Sequence, residues 1–164
     1  MAAGDTLVIF GPYHNEPPAT AYATLDTRNL HAVLDYDNTT DEAAVFSAVL
    51  PRSYAGGGLT VYLHWMATTA ITGNVVWTAE IERCNTDLDA DSFAAAQSVT
   101  DTCNGTSGII EVASIAFTDG AQMDSLAAGE VFRIKVSRDA DNGADTLVGD
   151  AELVAVEIRE TPGA

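Results

Sequence analysis

Basic residues are nearly missing from this chain. Its 164 residues include 24 Asp plus Glu but only 7 Lys plus Arg, for a formal net charge of −17. Arg28 is the only cation before Arg52, and Lys135 is the only lysine. A surface this acidic repels phosphate backbones and anionic lipid, so neither nucleic acid nor a membrane is an expected partner. No apolar run approaches the length that crosses a bilayer. The first residues, Met1 to Asp5, lack a basic n-region, and Leu7 to Phe10 is too short for an h-region. The expectation is therefore no signal peptide and synthesis in the cytoplasm.

Catalytic signatures are absent too. There is no Gly-x-Ser-x-Gly elbow. The three histidines, His14, His31 and His64, have no metal-ligand spacing, and none adjoins a cysteine. Gly56 to Gly58 is not followed by Lys-Ser or Lys-Thr, so it is not a phosphate loop. No catalytic residue and no cofactor is assigned, and the chain is read as a non-enzyme.

Alternation is what the sequence does have. Leu59, Val61, Leu63 and Trp65 alternate with Thr60, Tyr62 and His64. Val75, Trp77, Ala79 and Ile81 alternate with Val76, Thr78, Glu80 and Glu82, and Phe132, Ile134 and Val136 with Arg133 and Lys135. Near the end, Val154, Val156 and Ile158 alternate with Ala155, Glu157 and Arg159. A period of two marks strands with one buried face. The reading is an all-β, two-sheet sandwich forming one domain over 1–164, with about eight main strands and one or two short helices. A jelly roll is the expected topology, ahead of an immunoglobulin-like sandwich. Helical turns are expected at Ser92–Gln97 and Gln122–Ala127. Residues 1–20 could form an N-terminal attachment arm.

Several side chains invite a chemical reading. Asp87, Asp89 and Asp91 place carboxylates at alternate positions, as a calcium loop does, but Ser92 stands where an EF-hand needs Gly and Ser98 where it needs Glu. They are weak metal candidates; an acidic turn capping a helix is the competing reading. Asp139, Asp141, Asn142 and Asp145 read as a solvated loop around the Asn142-Gly143 turn. Glu80 and Glu82, on one face roughly 7 Å apart, overlap the carboxylate spacing of inverting glycosidases but come from a single strand. Cys84 and Cys103 are a disulfide candidate, with two reduced thiols as the alternative. Leu7, Phe10, Tyr13, Tyr22, Tyr36 and Tyr54 are candidate interface residues, because aromatics with polar tips favour interfaces and sugar platforms.

From Gly56 onward the chain resembles small virion structural proteins of tailed bacteriophages. The resemblance rests on Gly57-Gly-Leu-Thr-Val-Tyr-Leu-His-Trp65, Asp87-Leu-Asp-Ala-Asp-Ser-Phe93, Phe117-Thr-Asp-Gly-Ala-Gln-Met-Asp-Ser-Leu126 and Asp150-Ala-Glu-Leu-Val-Ala-Val-Glu-Ile-Arg159. It implies a capsid decoration, or cement, protein: a homotrimer on the capsid exterior of the virion, bound to the major capsid protein and stabilising the assembled head. The alternative is a receptor- or carbohydrate-binding sandwich of a phage fibre or spike, which predicts an exposed groove lined by Tyr or Trp.

Overall fold

A computed structural model describes residues 4–84 and 87–161. Its strands are β1 (Thr6–Phe10), β2 (Thr24–Arg28), β3 (His31–Tyr36), β4 (Glu42–Val49), β5 (Leu59–Ala67), β6 (Asn74–Cys84), β7 (Gln97–Thr102), β8 (Glu111–Phe117), β9 (Val131–Arg138) and β10 (Ala151–Glu160). One sheet runs β2-β3-β10-β5-β8, with β1 also paired to β10; the other runs β4-β9-β6-β7. The two four-stranded units β3-β10-β5-β8 and β4-β9-β6-β7 are the two sheets of a jelly roll. The fold is all-β, as the alternation requires, and β1 and β2 extend one sheet.

The alternating apolar sets face each other between the sheets. Val61, Leu63 and Trp65 of β5 and Val156 and Ile158 of β10 meet Trp77 and Ile81 of β6 and Phe132, Ile134 and Val136 of β9 in one core. Trp77 stands edge-on to both Tyr36 (5.0 Å) and Trp65 (5.8 Å), an arrangement that adds about 1 kcal/mol per pair beyond area burial. In β10 the expected face is broken. A bulge between Leu153 and Ala155 resets the alternation, because one extra residue inverts every side chain beyond it. Ala151 and Leu153 therefore reach the core, and Val154 turns toward the outer surface.

One helical expectation fails and another is shortened. Residues 92–96 are irregular rather than helical and lead into β7. There the Ala94 N–H donates to the Ile81 carbonyl at 2.9 Å, and the Phe93 ring lies under Arg133 (5.4 Å) and Lys135 (5.0 Å). Sheet pairing and cation–π contact outweigh the helix propensity of three alanines, which is worth only tenths of a kcal/mol per residue. Strand β7 is hard to read in sequence because Val99 is its only aliphatic; beside it Asp101 accepts the Trp65 indole N–H at 2.8 Å. The Gln122–Ala127 helix reduces to a 3-10 turn at Ala121–Met123, ended by the left-handed backbone of Asp124 and Ser125.

Most of segment 1–20 belongs to the sandwich. β1 pairs with β10, and the Gly4 N–H donates to the Glu160 carbonyl at 2.8 Å. Glu16 N–H donates to Val45 O at 2.7 Å, and Asn15 Oδ1 accepts the Val45 N–H at 3.0 Å, so the chain seals the free edge of β4. Residues 1–3 lie outside the described set.

Candidate functional site

Most of the chemically suggestive residues are taken up by structure. Cys84 and Cys103 are both free thiols. Cys84 ends β6, whereas the Cys103 N–H donates to Gly73 O just before β6 begins. The two thiols thus sit at opposite ends of an 11-residue strand, on the order of 30 Å apart, far beyond disulfide reach. This overturns the disulfide candidate. Glu80 is ion-paired with Lys135 and Glu82 with Arg133 (3.7 Å) across β6 and β9. Each of these carboxylates is therefore held by a cation of the neighbouring strand.

Asp87 and Asp89 are exposed, and the Asp87 carboxylate accepts the Asp89 N–H at 3.1 Å, as in an acidic turn. Among the described residues, the acids that do converge are others: carboxylate oxygens of Asp41, Asp139 and Asp141 lie within 4.8 Å of one another. Asp41 accepts the Ala140 N–H at 2.7 Å, and its charge raises the pKa of Asp141. The rest of this loop is not a simple solvated connection. The guanidinium of Arg138 is buried and forks onto Asp145 (3.0 and 2.7 Å), while also donating to the carbonyls of Leu147 and Gly149 at 2.8 Å. That buried pair moulds the β9–β10 connection.

The six candidate interface residues separate by burial. Phe10 stacks on Phe46 in the core. Tyr36 is buried and donates to Val136 O at 3.1 Å. Tyr54 is buried and accepts the Gly58 N–H at 2.9 Å. Leu7 packs partly against the core. These four are framework, because their strand parity or loop turns them inward. Tyr13 and Tyr22 remain, 75% and 49% exposed.

Those two rings share one groove. Pro12 and Tyr13 lie in the 3-10 turn after β1, and Tyr22 bridges to Ala43 at the start of β4. With Asn15, Pro17, Thr24 and Leu25 they line a mostly apolar groove of about 300 Å³. Pro12 and Pro17 stiffen the backbone that lines the groove, and Ala21 holds a positive φ of 51° immediately before Tyr22. The rings are therefore presented on a braced surface. The sequence exposed this clustering of tyrosines, but not which of them faced out.

A second groove lies on the outer face of the six-stranded sheet. Arg28, at the end of edge strand β2, reaches over β10: it donates to Glu152 (2.8 Å), Ala67 O (3.1 Å) and Ser107 (2.7 Å). The β2–β3 hairpin is thereby tied to the loop before β8, and Gly108 meets the guanidinium where a Cβ would come within 2.9 Å of it. Beneath is a groove of about 380 Å³ lined by His31, Val33, Met66, Ile110 and Val154 among others. Asp35, opposite Glu152 in the β3–β10 register, is partly buried, and its Oδ1 has no hydrogen-bond partner among the described residues. Burial, then the charges of Asp150, Glu152, Asp26 and Glu42, push its pKa up to about 6. The signal for Arg28 was there in sequence: a lone cation in the first fifty residues.

No family model and no curated protein sequence matches this chain. Solved structures do share its fold. The CBM22-1 xylan-binding domain from Paenibacillus barcinonensis Xyn10C aligns with 100% of this chain and 99% of its own, with TM-score 0.56 and 10% identity. The carbohydrate-binding module CBM36, in complex with calcium and xylotriose, covers 93% of this chain and 99% of its own at TM-score 0.50 and 14% identity. The family 11 carbohydrate-binding module from Clostridium thermocellum, in complex with a β-1,3-1,4-mixed-linked tetrasaccharide, covers 100% of both chains at TM-score 0.50 and 10% identity. At these identities the likeness is one of fold.

Proposed function

We propose that this chain is a non-catalytic carbohydrate-binding β-sandwich that takes a neutral glycan in the Tyr13–Tyr22 groove. The observation that carries this reading is the pair of exposed tyrosines over an apolar groove braced by Pro12 and Pro17. A sugar ring offers an apolar C–H face and a hydroxyl rim. Tyr13 and Tyr22 can stack on the first, and Asn15, Thr24 and the phenol hydroxyls can hydrogen-bond the second. The formal charge of −17 disfavours anionic glycans and leaves neutral ones unopposed. The shared fold with a xylan-binding domain and with a module in complex with a mixed-linked tetrasaccharide supports the class of ligand, not the site. Affinity electrophoresis in gels containing xylan, mixed-linked β-glucan or a polyuronate tests it. Retardation by a neutral polymer, lost in Tyr13→Ala/Tyr22→Ala, is the expected result. Unchanged retardation of the double variant removes the groove, and no retardation by any neutral polymer removes the function.

A second reading, decoration of a tailed-phage head, is supported by the motifs from Gly57 to Arg159 quoted above. It assigns the exposed Tyr13 and Tyr22 to contact with the capsid lattice, where binding only the assembled state stabilises it by mass action. Purified protein mixed with undecorated heads should bind and raise their heat resistance; absence of both effects excludes it.

A further inference from the structure

Two Asn-Gly pairs occur in the chain, Asn104-Gly105 and Asn142-Gly143. Asparagine is a thermolabile residue, and a following glycine exposes it most. With no Cβ beside it, the glycine nitrogen can approach the asparagine side chain and attack it. Both glycines stand in open space, and neither holds a positive φ. Each asparagine carbonyl also accepts the N–H two residues on, Asn104 from Thr106 (3.1 Å) and Asn142 from Ala144 (3.0 Å). An N–H on that oxygen stabilises the oxyanion formed during attack. To this point the two sites are equal.

They differ in what holds the amide nitrogen and in the surrounding charge. Asn142 Nδ2 donates to Asp139 at 2.9 Å, so its leaving group is anchored. The Asn142 N–H donates to Asp139 O (3.2 Å) and the Asp145 N–H to Asn142 O (2.9 Å), which fixes the backbone on both sides. Carboxylate oxygens of Asp41, Asp139 and Asp141 converge within 4.8 Å of one another on this loop, and they oppose an anionic nucleophile and an oxyanion. At Asn104 the side chain makes one hydrogen bond among the described residues, the one from Thr106. Loop 103–110 contains no acid, and the Arg28 guanidinium meets it at Ser107 (2.7 Å) and Gly108. Burial and then the charge of Glu111 raise the Cys103 pKa, so one acid is felt here where three converge near Asn142.

We propose that Asn104 is a self-modification site, converted in the folded protein to isoaspartyl and aspartyl forms, while the fold protects Asn142. The reaction needs only water. The Gly105 amide gives its proton to solvent base, and its nitrogen bonds to Asn104 Cγ. The Cγ–Nδ2 bond then breaks, and ammonia leaves after taking a proton from solvent. The resulting succinimide is opened by water. Cleavage between Gly105 N and Cγ gives aspartyl; cleavage between Gly105 N and the main-chain carbonyl carbon routes the backbone through Cγ and gives isoaspartyl. Nothing is oxidised or reduced. Either product places a carboxylate in the loop that Ser107 and Gly108 stitch to the Thr68 and Ala67 carbonyls.

The test is to incubate the full chain at pH 8 and 37 °C, folded and in guanidinium chloride, and to follow both sites by peptide mapping with isoaspartyl-specific fragmentation. In denaturant the two pairs should convert at similar rates. In the folded protein Asn104 should continue to convert and Asn142 should be suppressed. Gly105→Ala, whose Cβ enters open space, should keep the parent's melting temperature and lose the Asn104 conversion. The proposal is overturned if folded Asn142 converts as fast as Asn104, or if Asn104 stays intact in the fold while the denatured chain converts. A preference for Asn104 that is equally large in denaturant assigns the selectivity to sequence and overturns it too.

Discussion

Asp35→Asn gives the sharpest test of the electrostatic description. In the unfolded chain this carboxyl titrates near its ordinary value of 3.8; in the fold it titrates near 6, chiefly because burial disfavours the charge and secondarily because Asp150, Glu152, Asp26 and Glu42 repel it. Below pH 3.8 the group is protonated in both states and has no effect on stability. Above pH 6 it is ionised in both, and the folded state carries the full penalty. Its contribution therefore falls as pH rises between those values. A shift of about 2 units corresponds to about 3 kcal/mol at 1.36 kcal/mol per unit. The side chain is only partly buried, and solvent screening reduces the penalty to about 1–2 kcal/mol. Asparagine keeps the shape and removes the charge. Urea unfolding followed by the fluorescence of the buried Trp65 and Trp77 should show the variant about 1–2 kcal/mol more stable than the parent at pH 7.5, with an unchanged m-value. The difference should vanish near pH 3.5. High salt should remove only part of it, because salt screens the neighbouring carboxylates and leaves desolvation in place. A variant less stable at pH 7.5, or an offset equal at both pH values, would refute the reasoning.

Arg138→Ala should destabilise the fold by about 3–5 kcal/mol, because it strands the buried Asp145 carboxylate and frees the Leu147 and Gly149 carbonyls; urea unfolding at pH 7 measures it, and a change under 1 kcal/mol would mean the fork is not the organiser of the loop. Gly73→Ala should be destabilising by more than 1 kcal/mol, since φ is +120° and a Cβ would sit 2.7 Å from the Thr146 carbonyl oxygen; a thermal melt that does not move would contradict the close approach of these loops. Gly143→Ala, with open space around its Cβ, serves as the control and should leave the melt nearly unchanged.

The two-residue rhythm made the sheets legible because alternation is a local consequence of pleating. Leu59 to Trp65, Val75 to Ile81 and Phe132 to Val136 needed no partner strand to show which side was apolar. Composition likewise declared the acidity. Misreadings arose where strand register decides. The bulge at Leu153–Ala155 turned Val154 outward, on a strand that pairs with β5 on one side and with both β3 and β1 on the other. Antiparallel pairing of β6 with β7 carried Cys103 to the far end of the strand from Cys84, although a loop closing between them looked plausible along the chain. Tyr13 and Tyr36 are alike as sequence; packing beneath Trp77 buried one, and the turn at Pro12 left the other in solvent. Strand content and surface charge follow from neighbours in sequence. The grooves and the Arg138–Asp145 fork arise from contacts between residues far apart in the chain, which only the closed sandwich brings together.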